Sequence, residues 1–179
     1  MRTNQTEYRP GDAIILMPYD SRWVDDFERE SALVKAALGD VLVELHHIGS
    51  TAIPGIVAKP VIDMLAVVTD VAVLDTRLWL EHLGYEAKGE FGISGRRYFR
   101  KNSAQGVRTH QLHSYTAGSP QIRRHLAFRD YLRSNPNEAQ QYAKLKKDLA
   151  QRFATDIEGY ADAKTEFIRE IERRAKCGV

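Results

Sequence analysis

The sequence is poor in features that mark several classes of protein. It has one cysteine in 179 residues, Cys177, so it lacks the pair for an intrachain disulfide and the set for a cysteine metal site. The longest early apolar run, Ala13 to Met17, is far shorter than the ~18 residues of a membrane span. We therefore expect a cytoplasmic protein with no membrane anchor or export signal, and we assign no role to Cys177.

The chain also lacks an excess of charge of one sign. Its 26 Lys and Arg residues face 24 Asp and Glu residues, a net charge of +2. A dedicated nucleic-acid-binding domain carries a clear basic excess, so nucleic acid is not an expected partner. From Phe91 to Arg129, however, there is no acidic residue and there are eight basic ones, which leaves 18 basic against 24 acidic residues elsewhere. This basic segment predicts a localised site for an anion.

The 43% of hydrophobic residues and the length of the chain fit one globular domain, which we place at residues 12–176 after a polar tail, residues 1–11. Asp20 or Ser21 is suited to cap a helix that Gly39 ends. The alternation over Val41–His47 predicts a strand. The apolar run Val61–Val68 predicts a buried central strand with one carboxylate, Asp63.

The rest of the chain is predominantly helical in pattern. Val71–Leu83 predicts a helix that Gly84 ends, and Gly95–Lys101 and Arg108–Tyr115 predict strands. Ser119-Pro120 predicts a helix to about Ser134, and Asn135-Pro136 repeats this start with a capping-box spacing. A last helix carries Tyr160, Ala163, Phe167, Ile171 and Ala175 on one side. The order of elements indicates an α+β domain with helices packed over a mixed sheet.

The densest chemical signal lies between the first two strands. A Gly49-Ser50 pair at a strand end lets the backbone approach a phosphate, and Asp63 on the next strand is suited to hold a divalent metal against it. The alternative is a Gly/Pro-rich turn with a buried aspartate satisfied by loop amides. A carboxylate inside an apolar strand is costly without a partner or a task, and the spacing alone leaves both interpretations open.

The sequence resembles the GrpB-like family of the nucleotidyltransferase superfamily from about Asp12 to Lys176. The residues that carry the resemblance are HIGSTAIPGIVAKPVIDM (47–64), GRRYFRK (95–101), RTHQLH (108–113), HLAFRDYLR (125–133) and YAKLKKDLA (142–150). It implies a nucleotidyltransferase-like mixed β-sheet flanked by helices, with a helical C-terminal third. It also implies a nucleoside triphosphate as the small anionic ligand, with Mg²⁺ as the cofactor.

The resemblance assigns roles to particular residues. Asp63 is the predicted metal ligand and, with His113, a predicted catalytic residue, and the nucleotidyl group passes to an unknown acceptor. The predicted substrate-binding residues are Gly49, Ser50, Thr51, Lys59, Arg97, Lys101, Arg108 and His110. One departure matters, because the superfamily places a second carboxylate two residues after the first and this chain has Leu65 there. The alternative function is a non-catalytic module that binds a nucleotide or phosphometabolite.

Four further interpretations concern the basic residues and the histidines. Arg97 and Lys101 share a strand face with Phe99 and form either an anion platform or a charged edge strand. His47, His110 and His113 with Asp63 are ligand types for a transition metal, although His110 and His113 point to opposite faces of a strand. RNA binding ranks last, because the basic segment has only Tyr98 and Phe99 as stacking candidates. For His125 and Arg129 we favour a solvated helix stripe unless that helix closes over the site.

Overall fold

A five-stranded mixed sheet forms the centre of the protein. The computed structural model describes residues 13–177 and the side chains of residues 13–176, so the predicted tail, Asp12 and the Cys177 side chain lie outside it. The strands are β1 (Leu42–Ile48), β2 (Ile62–Val68), β3 (Tyr85–Ala87), β4 (Arg96–Asn102) and β5 (Arg108–Thr116). Their order is β1-β2-β5-β4-β3, with β2 and β5 parallel and all other pairs antiparallel. The predicted mixed sheet is confirmed.

Helices cover both faces of this sheet. They are α1 (Arg22–Leu38), α2 (Pro120–Ser134), α3 (Pro136–Arg152), α4 (Ile157–Asp162) and α5 (Thr165–Cys177). The helical C-terminal third and the α+β class are therefore confirmed. Within residues 13–177 no helix combines the length and the apolarity that crossing a bilayer requires.

The two faces of β2 serve different parts of the core. Met64 and Ala66 pack with Trp23 and Phe27 of α1. Leu65 and Val67 point to the opposite face and pack with Ile48 of β1, Tyr115 of β5 and Ile122 of α2. Side chains alternate across a strand, so Asp63 must lie on the α2 face with Leu65. The prediction of a buried central strand with one carboxylate is confirmed.

Three local predictions are wrong. Residues 71–83 form two short 3₁₀ turns, Val71–Asp75 and Glu81–Leu83, instead of one helix, because Asp70 caps the first and Thr76 closes it onto the Val73 carbonyl. The strand β3 was not expected, since only three residues form it. The final helix is divided in two at Ala163 and Lys164.

The start of α3 also differs from the predicted capping box. The Asn135 side chain donates to the Tyr131 carbonyl oxygen, and Glu138 accepts a hydrogen bond from the Tyr131 hydroxyl. Both side chains therefore bind the end of α2 and do not cap α3. At the start of α2, in contrast, Ser119 accepts a hydrogen bond from the backbone N–H of Gln121, so the predicted cap is confirmed.

Candidate functional site

The Gly-Ser turn meets the strand carboxylate at one end of the sheet. Ile48 is the antiparallel partner of Asp63, so the next residue, Gly49, lies beside the Asp63 side chain. Gly49 has φ 70° and ψ −171°, a combination that only glycine adopts without strain. A Cβ atom built there would lie 2.4 Å from Oδ2 of Asp63. The close approach that requires glycine is therefore that of the Asp63 carboxylate.

A pocket of about 300 Å³ opens in front of this carboxylate. It lies on the α2 face of the sheet, between the loop after β1 and the C-terminal helices. Six of the ten predicted site residues line it: Gly49, Ser50, Thr51, Lys59, Asp63 and His113. The structure thus brings together the predicted Gly-Ser loop, the predicted metal ligand and the predicted catalytic histidine.

Three lysines from three different segments converge on the pocket. Lys59 comes from the loop before β2, Lys146 from α3, and Lys164 from the junction of α4 and α5. Lys146 is only 2% exposed; its amine donates to the Val57 carbonyl oxygen and lies 4.7 Å from the centre of the Tyr142 ring. The Lys164 amine lies 4.0 Å from the centre of the Tyr160 ring. We call Lys59, Lys146 and Lys164 the lysine cluster.

The amines of the lysine cluster share one electrostatic environment. The pKa of Lys146 is lowered to about 7, mainly by burial and also by the charges of Lys164 and Lys59. Burial and the charge of Lys59 likewise lower the pKa of Lys164 to about 7, while Asp63 opposes this shift. The pKa of Asp63 itself is raised to about 6 by burial, against the pull of Lys59 and Lys164. The carboxylate therefore lies within reach of the cluster's charge.

The predicted catalytic histidine stands next to the carboxylate. His113 Nε2 lies 4.0 Å from Oδ1 of Asp63, and its ring centre lies 5.5 Å from that of His125. Burial lowers the pKa of His113 well below its usual value and lowers the pKa of His125 to about 4. His125 Nε2 is buried and has no hydrogen-bond partner in the part of the chain described. Two neutral imidazoles therefore form one wall of the pocket.

Helix α2 closes over the site, so the interpretation of His125 and Arg129 as a solvated stripe is wrong. Arg129 donates to the His47 carbonyl oxygen at 2.9 Å, and Arg133 donates to the Ala52 carbonyl oxygen at 2.8 Å. These contacts fix the loop on both sides of Ser50. The Tyr142 hydroxyl of α3 interacts with Ser50. The helices thus position the Gly-Ser turn as well as covering it.

Three predicted binding residues lie on the other face of the sheet. Arg97 and Lys101 alternate with Tyr98 and point toward α1, and His110 is the strand partner of Lys101. Lys101 pairs with Glu30 at 2.8 Å, and Arg97 binds Asp75 at 2.6 Å. The prediction that they face the Gly-Ser loop and Asp63 as one anion site is wrong. Acidic residues distant in sequence neutralise this part of the basic segment.

Arg108 is a fourth predicted binding residue that does not line the pocket. A bulge at the end of β4 pairs it with Asn102, and its Nε donates to Oδ1 of Asn102 at 2.8 Å. It lies beyond the edge of the pocket, close enough for its charge to contribute to lowering the pKa of Lys59. Another basic residue of the segment, Arg124, does line the pocket, but it pairs with Glu172 at 2.8 Å.

The pocket does not fit a metal pair of the superfamily type. Among residues 13–177 no group of three or more His, Cys, Asp or Glu side chains is placed to hold a metal ion. Leu65, at the position of the second carboxylate, is fully buried in apolar surroundings. Two glutamates elsewhere in the chain do not supply the missing second carboxylate. Glu44 pairs with His46, and Glu90 accepts a hydrogen bond from the backbone N–H of Gly95. The other carboxylate in the pocket lining, Glu172, is paired with Arg124, so Asp63 has no carboxylate partner for two-metal chemistry there.

The histidines do not form a transition-metal site either. His47 Nε2 lies 2.9 Å from the Thr51 hydroxyl, and its ring stacks on Phe27 at 4.8 Å. His110 lies on the opposite face of the sheet from His113, as the strand alternation predicts. These two histidines therefore have structural contacts of their own, away from Asp63.

Sequence reasoning missed two of the three lysines. The sequence contained a signal for Lys146, because it falls on the apolar stripe of α3 with Ala139, Tyr142 and Leu149. A lysine at such a buried position indicates a specific role. Lys164 had no such signal, since its place depends on the break between α4 and α5. The stacking of the helices, which no local pattern encodes, brings both to Asp63.

Comparisons with known proteins agree on one family. The chain matches the family model described as GrpB protein over residues 13–174. It is 44% identical over 168 residues to the UPF0157 protein YqkA of Bacillus subtilis, which covers 93% of this chain and 48% of that protein. The crystal structure of conserved protein GrpB from Enterococcus faecalis is 44% identical and superposes with a TM-score of 0.84, over 90% of this chain and 96% of that chain.

A more distant relative has a named activity. Dephospho-CoA kinase of Mycolicibacterium paratuberculosis is 29% identical over 184 residues, which cover 89% of this chain and 45% of that protein. The chain thus spans about half the length of YqkA and of this kinase.

Proposed function

The chain belongs to the GrpB family, and we propose that it binds a nucleoside triphosphate, or a phosphometabolite of similar charge, by its phosphates in the pocket before Asp63. The observation that carries this proposal is the convergence of the lysine cluster on that pocket. Lysine is an established phosphate ligand in proteins, acting as a point charge. The ligand class follows from that charge.

The balance of charge in the pocket supports an anionic ligand. Among its lining residues four carry positive charge (Lys59, Arg124, Lys146 and Lys164) and two carry negative charge (Asp63 and Glu172). Burying cations is costly unless anions accompany them. The pKa values of Lys146 and Lys164, both lowered to about 7 with burial as the main cause, report that cost. A polyphosphate would relieve it.

The pocket also has a suitable size. A volume of about 300 Å³ equals the lower limit of small-molecule sites, which range over about 300–1,000 Å³. It accommodates the phosphates together with part of a nucleoside. The tyrosine rings of Tyr142 and Tyr160, which already contact lysine amines, supply its apolar walls.

The second candidate function is nucleotidyl transfer, and the position of Asp63 beside His113 favours it. In this reaction an acceptor hydroxyl oxygen bonds to the α-phosphorus, the bond to the pyrophosphate oxygen breaks, and pyrophosphate leaves. Asp63 would take the hydroxyl proton, because a carboxylate with a pKa of about 6 is suited to general-base work near neutral pH. The lysine cluster would stabilise the developing charge on the phosphates.

Ligand binding is tested by thermal shift with ATP, GTP, CTP, UTP and dephospho-CoA. The last is included because of the similarity to dephospho-CoA kinase. We expect at least one compound to raise the melting temperature of the wild type, since a ligand that binds only the folded state stabilises it. If none does, the proposal is wrong.

A matched pair of variants locates the binding. Lys146→Met removes a buried amine of the cluster, and Lys147→Met removes the exposed amine next to it on α3. The ligand is expected to stabilise Lys147→Met as much as the wild type and Lys146→Met far less. Equal stabilisation of both variants would place the ligand elsewhere.

Pyrophosphate release separates the two candidate functions. Wild type and Asp63→Asn are incubated with the bound nucleotide and candidate acceptor alcohols. If the protein transfers a nucleotidyl group, the wild type releases pyrophosphate and forms a labelled product. Asp63→Asn then forms neither of them but still binds the nucleotide. Binding without any product in the wild type supports the non-catalytic module.

A further inference from the structure

The pocket contains few ligands for a metal and many partners for phosphate. The carboxylates in its lining are Asp63 and Glu172, and Glu172 is paired with Arg124. Leu65, at the position of the second strand carboxylate, is buried in the apolar cluster. Mg²⁺ prefers oxygen ligands in near-octahedral arrangement and usually bridges carboxylates and phosphates. The side chains present therefore do not provide the anchoring that a divalent ion needs.

The positions that surround the carboxylate are occupied by cations instead. Lys59, Lys146 and Lys164 line the same pocket as Asp63, whose negative charge opposes the lowering of the pKa of Lys59 and Lys164 by burial. The charges of Lys164 and Lys59 in turn act on Lys146. A divalent cation entering this pocket would meet amines of the same sign, which repel it.

Resting on the proposed phosphate binding, we propose that the lysine cluster replaces the divalent cation, so that the pocket binds a polyphosphate directly on its amines without a metal ion. In this arrangement Lys59, Lys146 and Lys164 neutralise the charge that Mg²⁺ neutralises in two-metal enzymes. Metal-free polyphosphate carries more negative charge than its Mg²⁺ complex. It is therefore the preferred ligand.

Isothermal titration calorimetry with inorganic tripolyphosphate tests this on the full chain, once in EDTA and once in excess Mg²⁺. Equal or tighter binding in EDTA is the expected result. Tighter binding in Mg²⁺, or binding only there, overturns metal-free binding but leaves the proposed phosphate site standing. No binding of tripolyphosphate or of any panel compound in either condition overturns both.

Two variants with opposite expected effects sharpen the test. Lys164→Met removes a charge-assisted contact and is expected to weaken tripolyphosphate binding by about tenfold or more. Asp63→Asn removes a negative charge beside the amines, so it is expected to tighten binding in EDTA. If Asp63 anchors a metal instead, Asp63→Asn weakens binding, and the proposal is wrong.

Folding controls accompany both variants. Circular dichroism and the melting temperature of the free protein show whether each variant is folded. Lys164→Arg, which keeps the charge, serves as the second variant at that position and is expected to retain binding. Loss of binding in Lys164→Arg equal to that in Lys164→Met, with both proteins folded, would contradict a role for the charge.

Discussion

The two faces of the sheet differ in how completely their basic side chains are paired with acidic ones. On the α1 face, Lys101 is paired with Glu30 and Arg97 with Asp75. On the α2 face, the pocket gathers four basic residues around two carboxylates, and one of those carboxylates, Glu172, is paired with Arg124. On the α1 face, ion pairs join different elements of the fold, whereas on the α2 face the pocket has an excess of basic residues.

This difference shows that a run of basic residues in the sequence is a poor guide to an anion site. The basic segment contains the charges that are neutralised by distant acids. The pocket instead draws two of its lysines from beyond that segment, Lys146 from α3 and Lys164 from between α4 and α5. Substitutions on the α1 face should therefore change stability, and substitutions on the α2 face should change ligand affinity.

The largest effect is expected at the ion pair of the α1 face. Glu30→Gln leaves Lys101 beneath α1 without its charge partner, and we expect the free energy of unfolding to fall by about 3 kcal/mol. Urea denaturation measures it. Glu28→Gln, exposed on the same helix, is the control and should change little. Tripolyphosphate affinity should stay at the wild-type value; a loss there would contradict the separation of the faces.

Gly49→Ala is expected to cost about 2 kcal/mol, because it forces a side chain into a glycine-only backbone region. It also pushes the Asp63 carboxylate away from the loop. Gly55→Ala is a matched control, since its φ is also positive, at 78°, while the nearest atom to a built Cβ is 3.9 Å away. Only Gly49→Ala should alter tripolyphosphate affinity. Equal effects of the two variants on stability and affinity would show that the Asp63 contact is unimportant.

Ligand affinity on the α2 face should depend on pH. The pKa values of Lys146 and Lys164 are about 7, so both amines lose charge as pH rises above 7. A bound anion restores the charge on an amine, so binding is coupled to the uptake of a proton. For one proton taken up, the affinity falls by about tenfold per pH unit above 7. The ratio of wild-type to Lys146→Met affinity isolates this effect from titration of the ligand. A ratio that stays constant from pH 7 to 9 would contradict it.

The same lysines determine a stability trend in the free protein. Their pKa is about 7 when folded against 10.5 for ordinary lysine, so the unfolded chain binds more protons between pH 10 and 7. Their contribution to the free energy of unfolding therefore falls as pH is lowered through this window and levels off below it. Urea denaturation of the wild type and of Lys146→Met at each pH checks this, and the variant should show the smaller slope.

The smallest effect is expected for Arg97→Gln. Its partner Asp75 is about half exposed, with a side-chain exposure of 51%, and exposed ion pairs contribute about 0–1 kcal/mol. We expect a change in unfolding free energy within about 0.5 kcal/mol and no change in tripolyphosphate affinity. A clear loss of affinity would return Arg97 to the site that the sequence predicted for it.

Local patterns predicted most of the elements. The alternation in β1, the apolar run of β2 and the Ser119-Pro120 start of α2 depend on neighbours in the chain, so they could be deduced from sequence. The 71–83 region and the last helix could not. There, side-chain caps at Asp70 and a break at Lys164 compete with the helical pattern. The Gly49, Ser50 and Asp63 constellation was predictable because two adjacent strands join it.

The sequence by itself determined the mixed sheet and the place of Asp63 on an interior strand beside the Gly49-Ser50 turn. Only the tertiary structure decided which charges meet. Glu30 and Lys101 lie 71 positions apart, and Lys59 and Lys146 come from different layers of the fold. Electrostatic energy depends on distance in space and on burial, and neither is encoded in spacing along the chain. For this reason the lysine cluster meets Asp63 through the packing of the C-terminal segments, which spacing along the chain did not predict.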